Sequence, residues 1–273
     1  MKAYLKSIVS QLKNYSLSLD KMSILIDKPW ALIDEESEIQ KLIFKKNKEL
    51  IMSKNGQVQE GKWDYFPEAK SLLIDRISDK ILCNEAFIDK GIMILKLDGT
   101  ENRFFMLANE NVVPDLDVNS YLKELRYQKL KISEVTLSDG RILEVQKEAD
   151  YALAQPDIGN AVSVGSEPIE DGKYRLGTPN QYFEIVKGKI FKILTETRYR
   201  NPNGQETLIQ QQDKWKIRKG DYVYQSGKQI NDAVLNFSKS KNLVVKNGIV
   251  SRLEPKNKLV RWFSNAWINH WNE

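Results

Sequence analysis

Residues 184–190 read Glu-Ile-Val-Lys-Gly-Lys-Ile, and residues 243–249 read Leu-Val-Val-Lys-Asn-Gly-Ile. Both place an apolar run, a glycine turn and a β-branched residue within one short stretch, and this restricts the possible folds more than any other feature of the chain. Gly188 and Gly248 are 60 residues apart, as are Phe183 and Leu243, Ile185 and Val245, Ile190 and Val250, and Ile193 and Leu253. Upstream the spacing is 61, matching Gly159 to Gly220, Val162 to Val223, Ile169 to Ile230, Asp171 to Asp232, Tyr174 to Leu235 and Leu176 to Phe237. Asp139-Gly140 and Asn203-Gly204 offer hairpin turns 64 residues apart. Glycines and apolar positions coincide while polar positions diverge, the signature of two copies of one β-unit. Each copy, 133–193 and 194–254, holds about four short strands, too few to bury both faces alone. The two copies are expected to bury against each other, as a sandwich or a pseudo-symmetric pair.

The preceding region, 17–114, has a different texture. Short apolar stretches such as KLIFKK, ELIMSK, GKWDYF, SLLID, IMILKL and RFFML are separated by turn pairs such as Asn55-Gly56 and Asp98-Gly99. Those pairs accept the positive φ angles of tight hairpin turns, so this region reads as an antiparallel β-domain of about six or seven strands. A helix over 115–132, capped by Asp117 and buried through Tyr121, Leu122 and Leu125, links it to the repeats. At residues 1–16, Tyr4, Leu5, Ile8, Val9, Leu12 and Tyr15 fall on one arc of an amphipathic helix, and 255–273 reads as a second one. The fold class is therefore mainly β, with helices at both ends.

Several function classes fall away on composition. No apolar run reaches the roughly 18 residues of a membrane-spanning helix. Lys2, Lys6 and Lys13 interrupt the start, which lacks the apolar centre of a secretory signal. With Cys83 as the single cysteine, a cytosolic setting is the expectation. The net charge of +5 is a small surplus of 42 basic over 37 acidic residues, compatible with a mixed surface or with weak attraction to polyanions.

Catalytic signatures are scarce. Histidine is the side chain best matched to proton transfer near neutral pH, and His270 is the only one. Neither G-x-G-x-x-G nor a phosphate-binding G-x-x-x-x-G-K-[ST] occurs. Asp115 and Asp117 have the spacing of oxygen ligands to a divalent cation, but Asp117 stands where a helix cap belongs. The acidic run Asp34–Glu38 reads as a solvated loop. Asp64 and Glu68 beside Trp63 and Tyr65 resemble an acid and base next to a sugar platform, yet strand alternation puts Asp64 opposite Trp63 and Tyr65. No catalytic residue, cofactor or metal ligand is assigned.

Two stretches suggest binding. In Asp213-Lys-Trp-Lys-Ile-Arg-Lys219, strand alternation sets Lys214, Lys216 and Arg218 on one face and Trp215 with Ile217 on the other. Such a basic stripe can neutralise phosphates of a nucleic acid, although its aromatics then face away from the cations. In the last segment Trp262, Phe263, Trp267 and Trp271 lie on one side of a helix, large enough to cap a sheet or to dock on a partner. The sequence thus points to a non-enzymatic binding or assembly module acting through protein contacts. The alternatives are a carboxylate-dependent enzyme on carbohydrate or nucleotide substrates, and a nucleic-acid binder using the basic stripe.

Overall fold

Alternation in the first half builds a closed wall of strands. The computed structural model describes residues 2–19, 22–33, 40–76, 78–101, 103–147 and 155–257. The chain is mainly β and divides into two units, Met1–Leu130 and Lys131–Glu273. In the first, β1 (Trp30–Leu32), β2 (Gln40–Phe44), β3 (Glu49–Lys54), β4 (Gln57–Phe66), β5 (Ser71–Asp75), β6 (Lys80–Ile88), β7 (Ile92–Leu97) and β8 (Phe104–Asn109) form a closed barrel. Each strand pairs antiparallel with the next, and β1 closes on β8 through Trp30↔Asn109, Ala31↔Ala108 and Leu32↔Leu107. The six or seven strands expected from turn spacing are therefore eight. Closure removes the two free edges that an open sheet would leave.

Eight strands enclose a space that side chains can fill. Phe44, Met52, Trp63, Tyr65, Ile74, Met93, Leu95, Phe105 and Leu107 belong to that interior cluster. Leu17, Leu19, Met22, Ile24, Leu25 and Ile26 join the same cluster with Leu19 and Leu25 fully buried, Leu25 accepting the indole N–H of Trp30 at 3.2 Å. Glu85 takes both the Leu19 amide (3.0 Å) and the Tyr65 hydroxyl (2.8 Å).

Strands β7 and β8 are apolar on both faces for a reason visible outside the barrel. Ile92, Ile94, Met106 and Ala108 cluster there with Ile8 and Leu12 of α1 (Lys2–Leu12) and with Val118, Leu122 and Leu125 of α2 (Val118–Leu130). Asp117 caps α2, accepting the Ser120 amide (3.1 Å) and hydroxyl (2.6 Å). The helix expected as a linker is thus part of the first unit's core.

Cys83 lies in the barrel interior, where burial pushes its thiol up to about 11 against a small opposing pull from Arg76. Only about one thiol in a thousand is ionised at pH 8, and the thiolate is the reactive form. We expect maleimide at pH 8 to leave native Cys83 unmodified and to label it on addition of denaturant. Rapid labelling of the native chain would show the interior to be open.

The second unit is a 13-stranded sheet, β9 (Ile132–Thr136), β10 (Ile142–Gln146), β11 (Ala161–Val164), β12 (Glu167–Pro168), β13 (Gly172–Arg175), β14 (Gln181–Val186), β15 (Lys189–Arg200), β16 (Glu206–Gln211), β17 (Tyr222–Gln225), β18 (Lys228–Gln229), β19 (Ala233–Asn236), β20 (Lys241–Lys246) and β21 (Ile249–Pro255). Its main path runs β19-β20-β21-β17-β16-β15-β11-β10-β9. Pairings recur at the spacings seen in the sequence. Thr136↔Ile142 is matched by Arg200↔Glu206, and Ala161↔Lys189 by Tyr222↔Ile249. Gly159 N donates to Ile190 O as Gly220 N does to Val250 O (2.8 and 2.9 Å), and Asp171 accepts Lys187 N as Asp232 accepts Asn247 N (2.6 and 2.7 Å). Lys187-Gly188 and Asn247-Gly248 each have two consecutive positive φ angles, the tight turn that favours glycine at its second position.

Face-to-face burial of two copies is not what the sheet shows. Leu143, Val145, Val162, Phe183, Ile185 and Ile190 belong to one core, while Ile209, Val223, Leu243, Val245 and Val250 belong to another. β15 is continuous from residue 189 to residue 200, so the boundary expected between 193 and 194 falls inside a strand. Its first part pairs with β14 and its last part with β16. Each half has a core of its own, and the halves are joined edge to edge where β15 pairs with β16.

Candidate functional site

The segment read as a basic strand is a turn. Asp213 and Lys216 form an isolated bridge, and residues 217–221 lead into β17 without strand pairing. Asp213 explains the departure from the strand pattern. Its carboxylate accepts the Trp215 amide (2.9 Å) and the Arg218 guanidinium (2.8 Å), a local alternative to ladder hydrogen bonds. The Trp215 amide, with help from Arg218, holds that carboxyl below its ordinary range. Lys214, Lys216 and Arg218 therefore do not form a stripe on a sheet, and Trp215 is not on an inner face.

Trp215 is instead 87% exposed, with the Lys214 ammonium 5.3 Å from its ring centre. The turn carrying it is fixed from below by two residues with no exposed surface, Gln211 and Asp221. Gln211 Nε2 donates to Lys214 O (2.8 Å) and its Oε1 accepts the Tyr199 hydroxyl (3.0 Å). Asp221 accepts the Gln212 amide (3.1 Å) and the Arg218 amide (2.6 Å). The result is an indole held out in solvent on a braced turn, in a segment whose Lys214, Lys216 and Lys219 are also exposed.

A second constellation had no counterpart in the sequence reading. Lys173 of β13, Glu184 of β14, Lys192 of β15 and Tyr222 and Tyr224 of β17 meet on one side of the sheet. Lys192 donates to the Tyr222 hydroxyl at 3.1 Å and lies 3.4 Å from Glu184 Oε2, which accepts the Tyr222 O–H at 2.8 Å. Lys173 donates to the Tyr224 hydroxyl at 3.0 Å, and its ammonium sits 3.0 Å from the Tyr222 ring centre. Burial lowers the Lys173 ammonium; Glu184 opposes that shift and Lys192 adds to it. Burial pulls Lys192 the same way, but its contacts with Tyr222 and Glu184 outweigh it and the net direction is up. The tyrosines at i and i+2 of β17 were the available sequence signal, since that spacing shares a strand face.

The carboxylates considered for catalysis have local partners. Asp64 accepts from Lys48 at 3.0 Å, and this bond first, then the Tyr65 amide, holds its carboxyl low. Lys48 also lies 4.3 Å from the Trp63 ring centre, while Glu68 is exposed in the turn after β4. Asp115 is exposed and Asp117 serves as the cap of α2. Among the described residues no group of three or more His, Cys, Asp or Glu side chains is placed to hold a metal, and no helix is long and apolar enough to cross a membrane. The acidic run Asp34–Glu38 lies outside the described residues, as do Trp262, Phe263, Trp267, His270 and Trp271. Comparison with known proteins finds no match to this chain among family models, curated proteins or solved structures.

Proposed function

We propose that the chain is a non-enzymatic binding module that makes protein contacts, with Trp215 as an anchor and two copies of one β-unit as its scaffold. The recurrence of the same pairings at spacings of 60, 61 and 64 supports the duplication. The observation that carries the function is the 87% exposure of Trp215 on a turn braced by buried Gln211 and Asp221. Fully burying an aromatic of this size removes 150–250 Å² from water, worth about 4–6 kcal/mol at 25 cal/mol per Å². A partner pocket gains much of that without ordering the turn first. The surrounding lysines select a pocket with an acidic rim. Trp262, Phe263, Trp267 and Trp271 belong to the same reading as a second contact.

Single-stranded nucleic acid is the second reading, and one observation favours it. The turn brings Lys214, Trp215 and Lys216 to one tip, where strand alternation would have separated ring from charge.

The test is affinity capture with the tagged full chain from its native cell, with and without nuclease. The partner recovered by the native chain is expected to fall at least about tenfold with Trp215→Ala and to persist with Trp215→Phe. Equal recovery by Trp215→Ala removes the anchor, and loss of capture on nuclease treatment selects nucleic acid. A chain lacking residues 258–273 tests the second contact.

A further inference from the structure

The constellation around Tyr222 holds more positive than negative charge at one point. Lys173 and Lys192 share the Tyr222 ring, their ammonium groups 3.0 and 4.7 Å from its centre. Among the described residues Glu184 is the carboxylate bonded within this group, and it lies against Lys192 at 3.4 Å while also holding the Tyr222 hydroxyl. Glu196 of β15 is engaged elsewhere, accepting the Tyr182 hydroxyl at 2.7 Å. Among the described residues Lys173 thus makes no ion pair, although Glu184 acts on its charge from a distance.

Hydrogen-bond capacity is also left over. An ammonium has three donors, and Lys173 directs one to the Tyr224 oxygen. Because Tyr224 accepts that bond, its own O–H remains a donor. Two donor groups 3.0 Å apart, one of them cationic, suit two oxygens of a single planar or tetrahedral anion. Lys173 is exposed and Tyr224 half-buried, so an anion can reach both from solvent.

We infer that Lys173 and Tyr224 form a binding site for an oxyanion, a carboxylate or phosphate group, on the tyrosine-lined face of the second unit. The site is independent of the Trp215 turn and of what that turn binds. A bound anion supplies the charge that Glu184 gives Lys192, and it draws Lys173 toward the behaviour of its neighbour. The Tyr222 ring beneath the ammonium fixes where the anion sits.

The experiment uses the full chain carrying 13C-labelled lysine, with the Lys173 signal assigned by its loss in Lys173→Gln. Sodium phosphate and sodium acetate are titrated separately against chloride at matched ionic strength. The Lys173 signal is expected to shift saturably, with half-saturation on the order of 1–10 mM, and its titration midpoint to rise when anion is present. Tyr224→Phe is expected to weaken binding about three- to tenfold, the effect of one hydrogen bond. Saturation by phosphate alone assigns a phosphate ligand, by acetate alone a carboxylate ligand, and by both the shared chemistry. A shift that chloride reproduces, or one that Tyr224→Phe leaves unchanged, overturns the site. The remaining lysine signals report that each variant is folded.

Discussion

Replacing Trp63 with alanine is expected to destabilise the first unit by about 3–5 kcal/mol, within the range for deleting a buried aromatic. Trp63 is 2% exposed, meets Phe44 edge-to-face at 5.7 Å, and donates its indole N–H to Lys45 O at 3.0 Å. Alanine removes the ring that fills the barrel between β4 and β2, and it leaves the Lys45 carbonyl without that donor. Whole domains are stable by about 5–15 kcal/mol, so this one change takes away a large fraction of the total. Denaturant unfolding followed by the amide signals of each unit should show the barrel strands melting early. The strands of the second unit, whose cores contain none of these residues, should keep their midpoint. Trp63→Phe, which retains much of the volume, should cost clearly less. An unchanged barrel midpoint in Trp63→Ala would mean that the interior is not packed as described.

Asp221→Ala is expected to cost about 2–4 kcal/mol, because it leaves two amide donors, Gln212 and Arg218, without the acceptor that now receives them. Both bonds hold the ends of the turn that carries Trp215, so the loss is local as well as global. Hydrogen exchange at Gln212 and Arg218 should accelerate before the rest of the sheet opens. Binding through Trp215 should weaken although the indole itself is unaltered, since the turn must then be ordered on contact. Asp221→Asn keeps one acceptor oxygen and loses the other, so its cost should lie between that of the native chain and that of Asp221→Ala. In the first half, Asn160 accepts the Asp157 amide at 2.9 Å at the matching position, 61 residues earlier. Asn160→Ala should therefore loosen its own turn without touching that of Trp215.

Much of the barrel was readable because local rules decide it. Trp63 and Tyr65 face inward and Asp64 and Phe66 outward by the two-residue period, and Asn55-Gly56 makes the predicted turn with φ of 50° and 77°. Closure was not readable, because it rests on three residues of β1 pairing with β8 across most of the unit. The segment 213–219 misled for a different reason. Its alternating residues satisfy the strand period, but the Asp213 side chain competes for the backbone donors and folds the stretch into a turn.

The cluster at Tyr222 escaped the sequence reading through a single register shift. From the turn at Lys187-Gly188, Val186 pairs with Lys189 and Ile185 with Ile190, so Glu184 would next oppose Phe191. A bulge between Glu184 and Ile185 leaves Phe191 unpaired and sets Glu184 opposite Lys192. One inserted residue changes which side chains face each other, and no local propensity announces it.

The unbroken strand β15 also decides how this protein can be divided. A chain severed at 193/194 leaves residues 189–193 with β14 and residues 196–200 with β16, but it parts Leu194 and Thr195 from Tyr182 and Gln181 and breaks the one strand that joins the two halves. Transplanting either half of the sheet with this join intact means carrying all twelve residues of the strand, Lys189 to Arg200.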